Sequence, residues 1–156
     1  VYFYNNAYPL LKKYNQKASI YIICNYVNGP NYLTTDQIKE MVDSGLVSVQ
    51  THTLSHRELT SLSLEEMEKE LIESKKYLDS TYNINVDTIC YPIGKYNDTI
   101  VNKAKEIYKY GLAMTGGVYN SKKHDLYRIP RIYANRSMTI NQFANYLKQS
   151  NVEIIY

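Results

Sequence analysis

Short runs of β-branched and aromatic residues alternate along this chain with amphipathic segments of about a dozen residues, and few architectures accept that order. Ala18–Cys24 (Ala-Ser-Ile-Tyr-Ile-Ile-Cys), Val47–Gln50, Val86–Tyr91 and Leu112–Thr115 read as strands. Residues 5–15 read as a helix, with Pro9 tolerable only in its first turn. A second helix starts at Thr34 or Thr35 and runs to Ser44, with Ile38, Met41 and Val42 on one face and Gly45 closing it. Ser63 and Glu66 form a capping box that opens the longest helix, striped by Leu64, Met67, Leu71, Tyr77 and Leu78. Asp98–Tyr110 is the next helix, with Ile100, Val101, Ala104 and Ile107 inward and Gly111 at its end. Tyr127–Tyr133 alternates as a strand would, and Pro130 assigns it to an edge or bulge. Thr139 begins a last helix with Phe143, Ala144 and Leu147, and Val152–Tyr156 forms an apolar tail.

Four or five parallel β/α units in 156 residues suit either an open doubly wound sheet or a small incomplete barrel. A doubly wound sheet usually carries a glycine-rich phosphate loop after its first strand. Neither Gly-x-Gly-x-x-Gly nor Gly-x-x-x-x-Gly-Lys occurs, so nucleotide binding has little support. In both folds chemistry gathers at the C-terminal ends of the strands. At one such end the run Val-Ser-Val-Gln-Thr-His-Thr-Leu-Ser-His delivers His52 and His56, two of the three histidines in the chain. Neutral imidazole is the commonest protein ligand for zinc and similar ions, and two at this spacing make half a site. The competing reading is a pair of ordinary polar loop histidines. Tyr91–Gly94 (Tyr-Pro-Ile-Gly) occupies a second strand end.

The length fits a single domain, residues 1–156, able to bury a core without disulfides. A net charge of +3 with scattered lysines gives no nucleic-acid footprint. No apolar run approaches the roughly 18–20 residues that span a bilayer. Cys24 and Cys90 end strand-like runs and read as buried thiols; two cysteines make no disulfide framework. The 18 tyrosines, against two phenylalanines and no tryptophan, match an AT-rich codon bias, so no tyrosine is assigned a sugar-stacking role without a motif.

Thr51-His-Thr-Leu-Ser-His56 together with Ile89-Cys-Tyr-Pro-Ile-Gly-Lys-Tyr-Asn97 resembles the polysaccharide deacetylases, carbohydrate esterase family 4, in their Tyr-Pro-x-Gly branch. The Gly-Leu-Val-Ser-Val run before the histidines and Arg128-Ile-Pro-Arg131 resemble it too, so the similarity covers nearly the whole chain. The resemblance implies an α/β fold: a distorted, incomplete (β/α) barrel with its first strand missing or truncated. It implies a metal-dependent hydrolase that removes N- or O-acetyl groups from a polysaccharide such as peptidoglycan, chitin or poly-N-acetylglucosamine. By position, His52 and His56 match the metal-binding histidines, and Thr53 matches the hydroxyl residue that steadies their loop. Ile93 matches the residue whose backbone N–H binds the oxyanion. Tyr91, Pro92, Gly94, Tyr96 and Arg128 fall where substrate would be bound. The implied cofactor is a divalent metal, zinc first, with cobalt or nickel as alternatives. The implied partner is an acetylated polysaccharide, met outside a bacterial cell or at its surface.

Two departures accompany the resemblance. Cys90 stands where many members carry an arginine that orients the catalytic base. The family's Asp-Asp pair, source of the third metal ligand and the general base, has no counterpart in these residues, and its late Leu-x-His, source of the general acid, is unmatched. His124 follows two lysines in a polar loop and reads as a solvated surface residue. Asp43, Asp79, Asp87, Asp98 and Asp125 are substitutes for the base only in principle, because most read as surface or cap residues. The expectation is therefore an N-terminally incomplete deacetylase domain with little activity alone and an exposed first strand edge. The alternatives are a degenerate, non-catalytic saccharide-binding homologue and a structural protein that binds metal adventitiously.

Overall fold

The computed structural model describes residues 1–135 and 137–149. After a wide π-type turn at Phe3–Ala7, the elements run α1 (Tyr8–Tyr14), β1 (Ala18–Ile22), α2 (Thr35–Asp43), β2 (Val47–Thr51), α3 (Leu64–Tyr82), β3 (Thr88–Cys90), α4 (Asp98–Ile107), β4 (Tyr110–Leu112) and α5 (Ile140–Gln149). Local chemistry accounts for most boundaries. Pro9 lies in the first turn of α1, where its missing N–H costs nothing. Thr34 and Ser63 cap α2 and α3 with reciprocal capping boxes to Gln37 and Glu66.

The four strands among the described residues are parallel and lie in chain order, β1-β2-β3-β4. Right-handed crossovers between successive neighbours in one direction put the connecting helices α2, α3 and α4 on the same face of the sheet. A doubly wound sheet needs a reversal of strand order that does not occur among the described residues. The sheet is therefore the wall of an open, incomplete β/α barrel. Among the described residues β1 pairs only with β2, so its other edge is open.

One core fills the layer between sheet and helices. Ile20, Ile22, Val47, Val49 and Ile89 from the strands pack with Ile38, Met41, Met67, Leu71, Leu78, Ile100 and Val101 from the helices. On the other face polar side chains join the strands. β2 and β3 share a single register pair, Thr51 with Ile89, and Gln50 extends the join. Its Oε1 accepts the N–H groups of Asp87 and Thr88 at 3.1 and 2.9 Å.

Several sequence expectations shift. Leu64 is exposed, and the buried stripe of α3 is Met67, Glu70, Leu71, Ser74, Leu78 and Tyr82. Gly111 does not end α4, which stops at Ile107; it sits inside β4, and Met114 and Thr115 lie beyond that strand. A Cβ at Gly111 would stand 2.5 Å from Tyr91 Oη, so the strand can lie there only because the residue has no side chain. Tyr127–Tyr133 is not a strand; one parallel bridge, Ile129 with Leu112, attaches it to β4, and Pro130 next to it has no N–H to extend the ladder. Cys24 and Cys90 are free and buried, as read from the sequence. The side chain of Leu147 and the tail Val152–Tyr156 lie outside the described residues.

Candidate functional site

His52 and His56 stand at the C-terminal end of β2, both half-buried, with ring centroids 4.6 Å apart and planes inclined at 70°. His52 Nδ1 lies 2.7 Å from the carbonyl oxygen of Cys90, the last residue of β3. A carbonyl only accepts, so Nδ1 carries the proton and Nε2 keeps the lone pair that a metal would use. Burial holds His52 below its ordinary imidazole value, the charges of His56 and Arg131 push the same way, and the Cys90 carbonyl opposes them. Each of these inputs except the carbonyl favours the neutral, ligating form.

The loop between the rings is built tightly. Thr53 is fully buried, and its Oγ1 accepts the His56 N–H at 3.1 Å. The Thr53 N–H itself donates to Thr51 Oγ1 at 3.0 Å. Cys24 N–H and Asn25 N–H donate to the carbonyls of Thr53 and Leu54, continuing the β1–β2 pairing into the loop. Thr53 and His56 hold φ of 68° and 61°, and Ile93 on the neighbouring turn holds 58°. Left-handed backbone is costly for any residue with a side chain, most of all for Thr53 and Ile93, which branch at Cβ, and such residues gather at functional sites where surroundings over-determine them. Three in one mouth mark this end of the sheet.

The turn Tyr91-Pro92-Ile93-Gly94 follows directly from Cys90, so the hydrogen bond from His52 brings the two strand ends together. Ile93 is the second residue of a single 3-10 turn, where an N–H has no partner within the turn, and the residue is 54% exposed. Lys95 Nζ reaches Glu58 at 2.7 Å and ties this turn to the chain beyond His56.

The residues expected at the groove divide. Tyr91 is fully buried, with Oη donating to the Tyr127 carbonyl at 3.0 Å, and Pro92 is buried beside it. Their side chains support the turn from beneath and do not reach its surface. Gly94 and Tyr96 are half-buried, and Tyr96 packs on Tyr91 with ring centroids 5.1 Å apart. The Arg128 guanidinium pairs with Asp98 at 2.6 Å and with Asp125. It is committed to a local network.

Of the possible substitute carboxylates, Asp43 pairs with Lys39, Asp79 with Lys75, and Asp98 and Asp125 with Arg128, while Asp87 accepts from Thr88 Oγ1. Among the described residues no three His, Cys, Asp or Glu side chains gather as a metal-holding group. The imidazole pair fits a divalent cation as two ligands of a larger set. His124 contacts Tyr119 and accepts from the Asn120 N–H, within its own loop.

Two residues escaped the sequence reading. Arg131 Nε donates to the Ala113 carbonyl at 3.1 Å, and the guanidinium lies beside the Cys90 thiol and near His52. Its signal was the second arginine of Arg128-Ile-Pro-Arg131. Glu70 is 5% exposed on the inward face of α3 and holds Ser55 in the histidine loop. Its signal was a charge within an apolar stripe.

Residues 1–111 match the family model for polysaccharide deacetylases. YxkH of Bacillus subtilis is 32% identical over 146 residues, which are 93% of this chain and 52% of that protein. The poly-beta-1,6-N-acetyl-D-glucosamine N-deacetylase of Staphylococcus aureus is 34% identical over 145 residues, covering 83% of this chain and 49% of its own. The chain thus spans about half the length of the curated relatives it matches. Among solved structures, the Streptococcus pyogenes deacetylase PplD, in complex with acetate, superposes with a TM-score of 0.87 at 35% identity, over 93% of this chain and 65% of that one. The strand order, the paired histidines at the strand ends and the match over residues 1–111 lead to one assignment: the chain belongs to the polysaccharide deacetylase family, with its incomplete β/α barrel.

Proposed function

We propose that this chain serves a metal-dependent deacetylase that removes acetyl groups from an N-acetylated polysaccharide. Poly-β-1,6-N-acetylglucosamine is the first substrate to test, because a 34% identical relative carries that activity in its name. The observation that supports this most is the pairing of His52 and His56 around a position where the Nε2 lone pair of His52 is left free by the Cys90 carbonyl.

A divalent cation, zinc first, would be held by these two imidazoles and would polarise the acetyl carbonyl and acidify a water. The chain's own groups divide the remaining work. Thr53 and Cys90 hold the imidazoles in register, and burial favours the neutral form of His52 that ligates. The Ile93 N–H, at the head of an exposed turn, is suited to receive the oxyanion as the carbonyl becomes tetrahedral. A general base must take the proton from that water, and among the described residues no Asp or Glu joins the two imidazoles in one metal-holding group. That last observation favours a second reading, a saccharide-binding homologue that does not turn over. Action at the bacterial surface or outside the cell is part of the same proposal, because a polymer of this kind would be met there.

Zinc titrated calorimetrically into the chain and into His52→Ala tests the site, and the expected result is binding that the substitution abolishes. Equal binding by both would overturn the metal reading. Acetate release from N-acetylglucosamine oligomers then separates the two functional readings: release by the zinc-loaded chain above the His52→Ala background, however small, supports the deacetylase, and oligomer binding with no release supports the second reading.

A further inference from the structure

His52 is anchored through its ring, whereas His56 is placed through its backbone. Among the described residues no hydrogen bond reaches the His56 ring, which meets His52 edge-on. Its position is therefore inherited from a φ of 61°, a conformation that persists only where neighbours enforce it. The Thr53 hydroxyl enforces it from one side through the His56 N–H. The residue immediately before, Ser55, is held by something less expected.

Ser55 N–H donates to Glu70 Oε2 at 2.9 Å, and the Ser55 hydroxyl donates to Glu70 Oε1. Glu70 lies on α3 between Met67, Leu71 and Ser74, on the face that packs into the core, and is 5% exposed. Among the described residues it makes no ion pair, and both of its oxygens are occupied by the same residue. A carboxylate is expensive to bury and would be free of that cost on the solvent side of the helix. Helix packing does not call for it, since an apolar side chain would fill that face. What it does is grip a loop fifteen residues earlier, next to a proposed metal ligand.

We propose that Glu70 is a positioning residue: its buried carboxylate clamps Ser55 and so holds His56 at the bite required to share a cation with His52. The inference rests on the metal reading above. Residues that orient ligands from behind typically change metal affinity about 10–100-fold when removed.

The test titrates Zn²⁺ into the full chain and into Glu70→Ala, Glu70→Gln, Ser55→Ala and the double variant Ser55→Ala/Glu70→Ala, with melting of the metal-free proteins as a control. Glu70→Ala, which removes both acceptors, should bind zinc about 10–100-fold more weakly, and Ser55→Ala, which keeps the N–H bond to Oε2, should lose less. The double variant should be no weaker than Glu70→Ala, because the Ser55 hydroxyl acts only through the carboxylate that Glu70→Ala already removes. Glu70→Gln, with one acceptor oxygen in place of two, should fall between. Should Glu70→Ala fail to melt cooperatively, Ser55→Ala and Glu70→Gln decide. Folded variants that bind zinc as the parent does, or losses that add in the double variant, would overturn the clamp. If the parent itself binds no better than His52→Ala, the metal reading falls first and the clamp with it.

Discussion

Ile93 combines a β-branched side chain, a φ of 58° and 54% exposure, so its backbone is strained and its side chain packs little in return. Replacing it by glycine keeps the N–H and removes the clash of Cβ with the carbonyl. Ile93→Gly should therefore stabilise the chain by about 1 kcal/mol, read as a higher urea midpoint. A lower midpoint would mean that the isoleucine side chain holds the turn. His52, His56 and Thr53 were legible in the sequence because a His-x-x-x-His spacing at the end of an alternating strand is a local pattern. Glu70 and Arg131 were not, since their roles come from contacts to Ser55, fifteen residues away, and to Cys90 and Ala113, across the sheet. Tyr91 misled in the other direction. A tyrosine in a motif suggests a binding surface, yet this ring is fully buried.

Among the elements, β4 is the one whose identity depends on a single atom being absent. A Cβ at Gly111 would meet Tyr91 Oη at 2.5 Å and the Tyr127 carbonyl at 2.7 Å. Gly111→Ala should cost about 1–3 kcal/mol by overpacking, measured by urea unfolding. Adding Tyr91→Phe should recover part of the loss, because only the hydroxyl clash disappears. No recovery would place the strain at the Tyr127 carbonyl instead. Sequence patterns located α2, α3 and α4 well, since capping boxes and apolar stripes act over one or two turns. The short β3 and β4, three residues each, are defined by their partners and not by propensity.

At the scale of the whole molecule, burial of weak acids sets a direction for pH. Burial pushes the Cys24 thiol from 9.0 up to about 12 and the Tyr82 phenol from 10.0 up to about 12, and it raises Cys90, Tyr91 and Tyr108 as well. Above 9.0 the unfolded chain releases protons that the folded chain retains, so the unfolded state binds fewer protons and stability falls as pH rises. The stabilisation is complete below 9.0 and is lost progressively towards 12. The urea midpoint at about pH 11 should lie well below that at about pH 8. Cys24→Ala should flatten part of that slope, and a midpoint independent of alkaline pH would show these groups to be solvated.

The sequence by itself determined the order of elements, their caps and their apolar faces, because hydrogen bonds and periodicities within a few residues decide those. It also carried the two histidines and the turn motif that identify the family. Only the tertiary structure decided that successive strands lie side by side without reversal, which curls the sheet into a barrel wall and brings Cys90 under His52. Only it decided which ring nitrogen of His52 is free, and that a buried carboxylate steadies the neighbouring loop. Those outcomes depend on atoms far apart in the chain meeting within hydrogen-bonding distance, and no local pattern encodes that meeting.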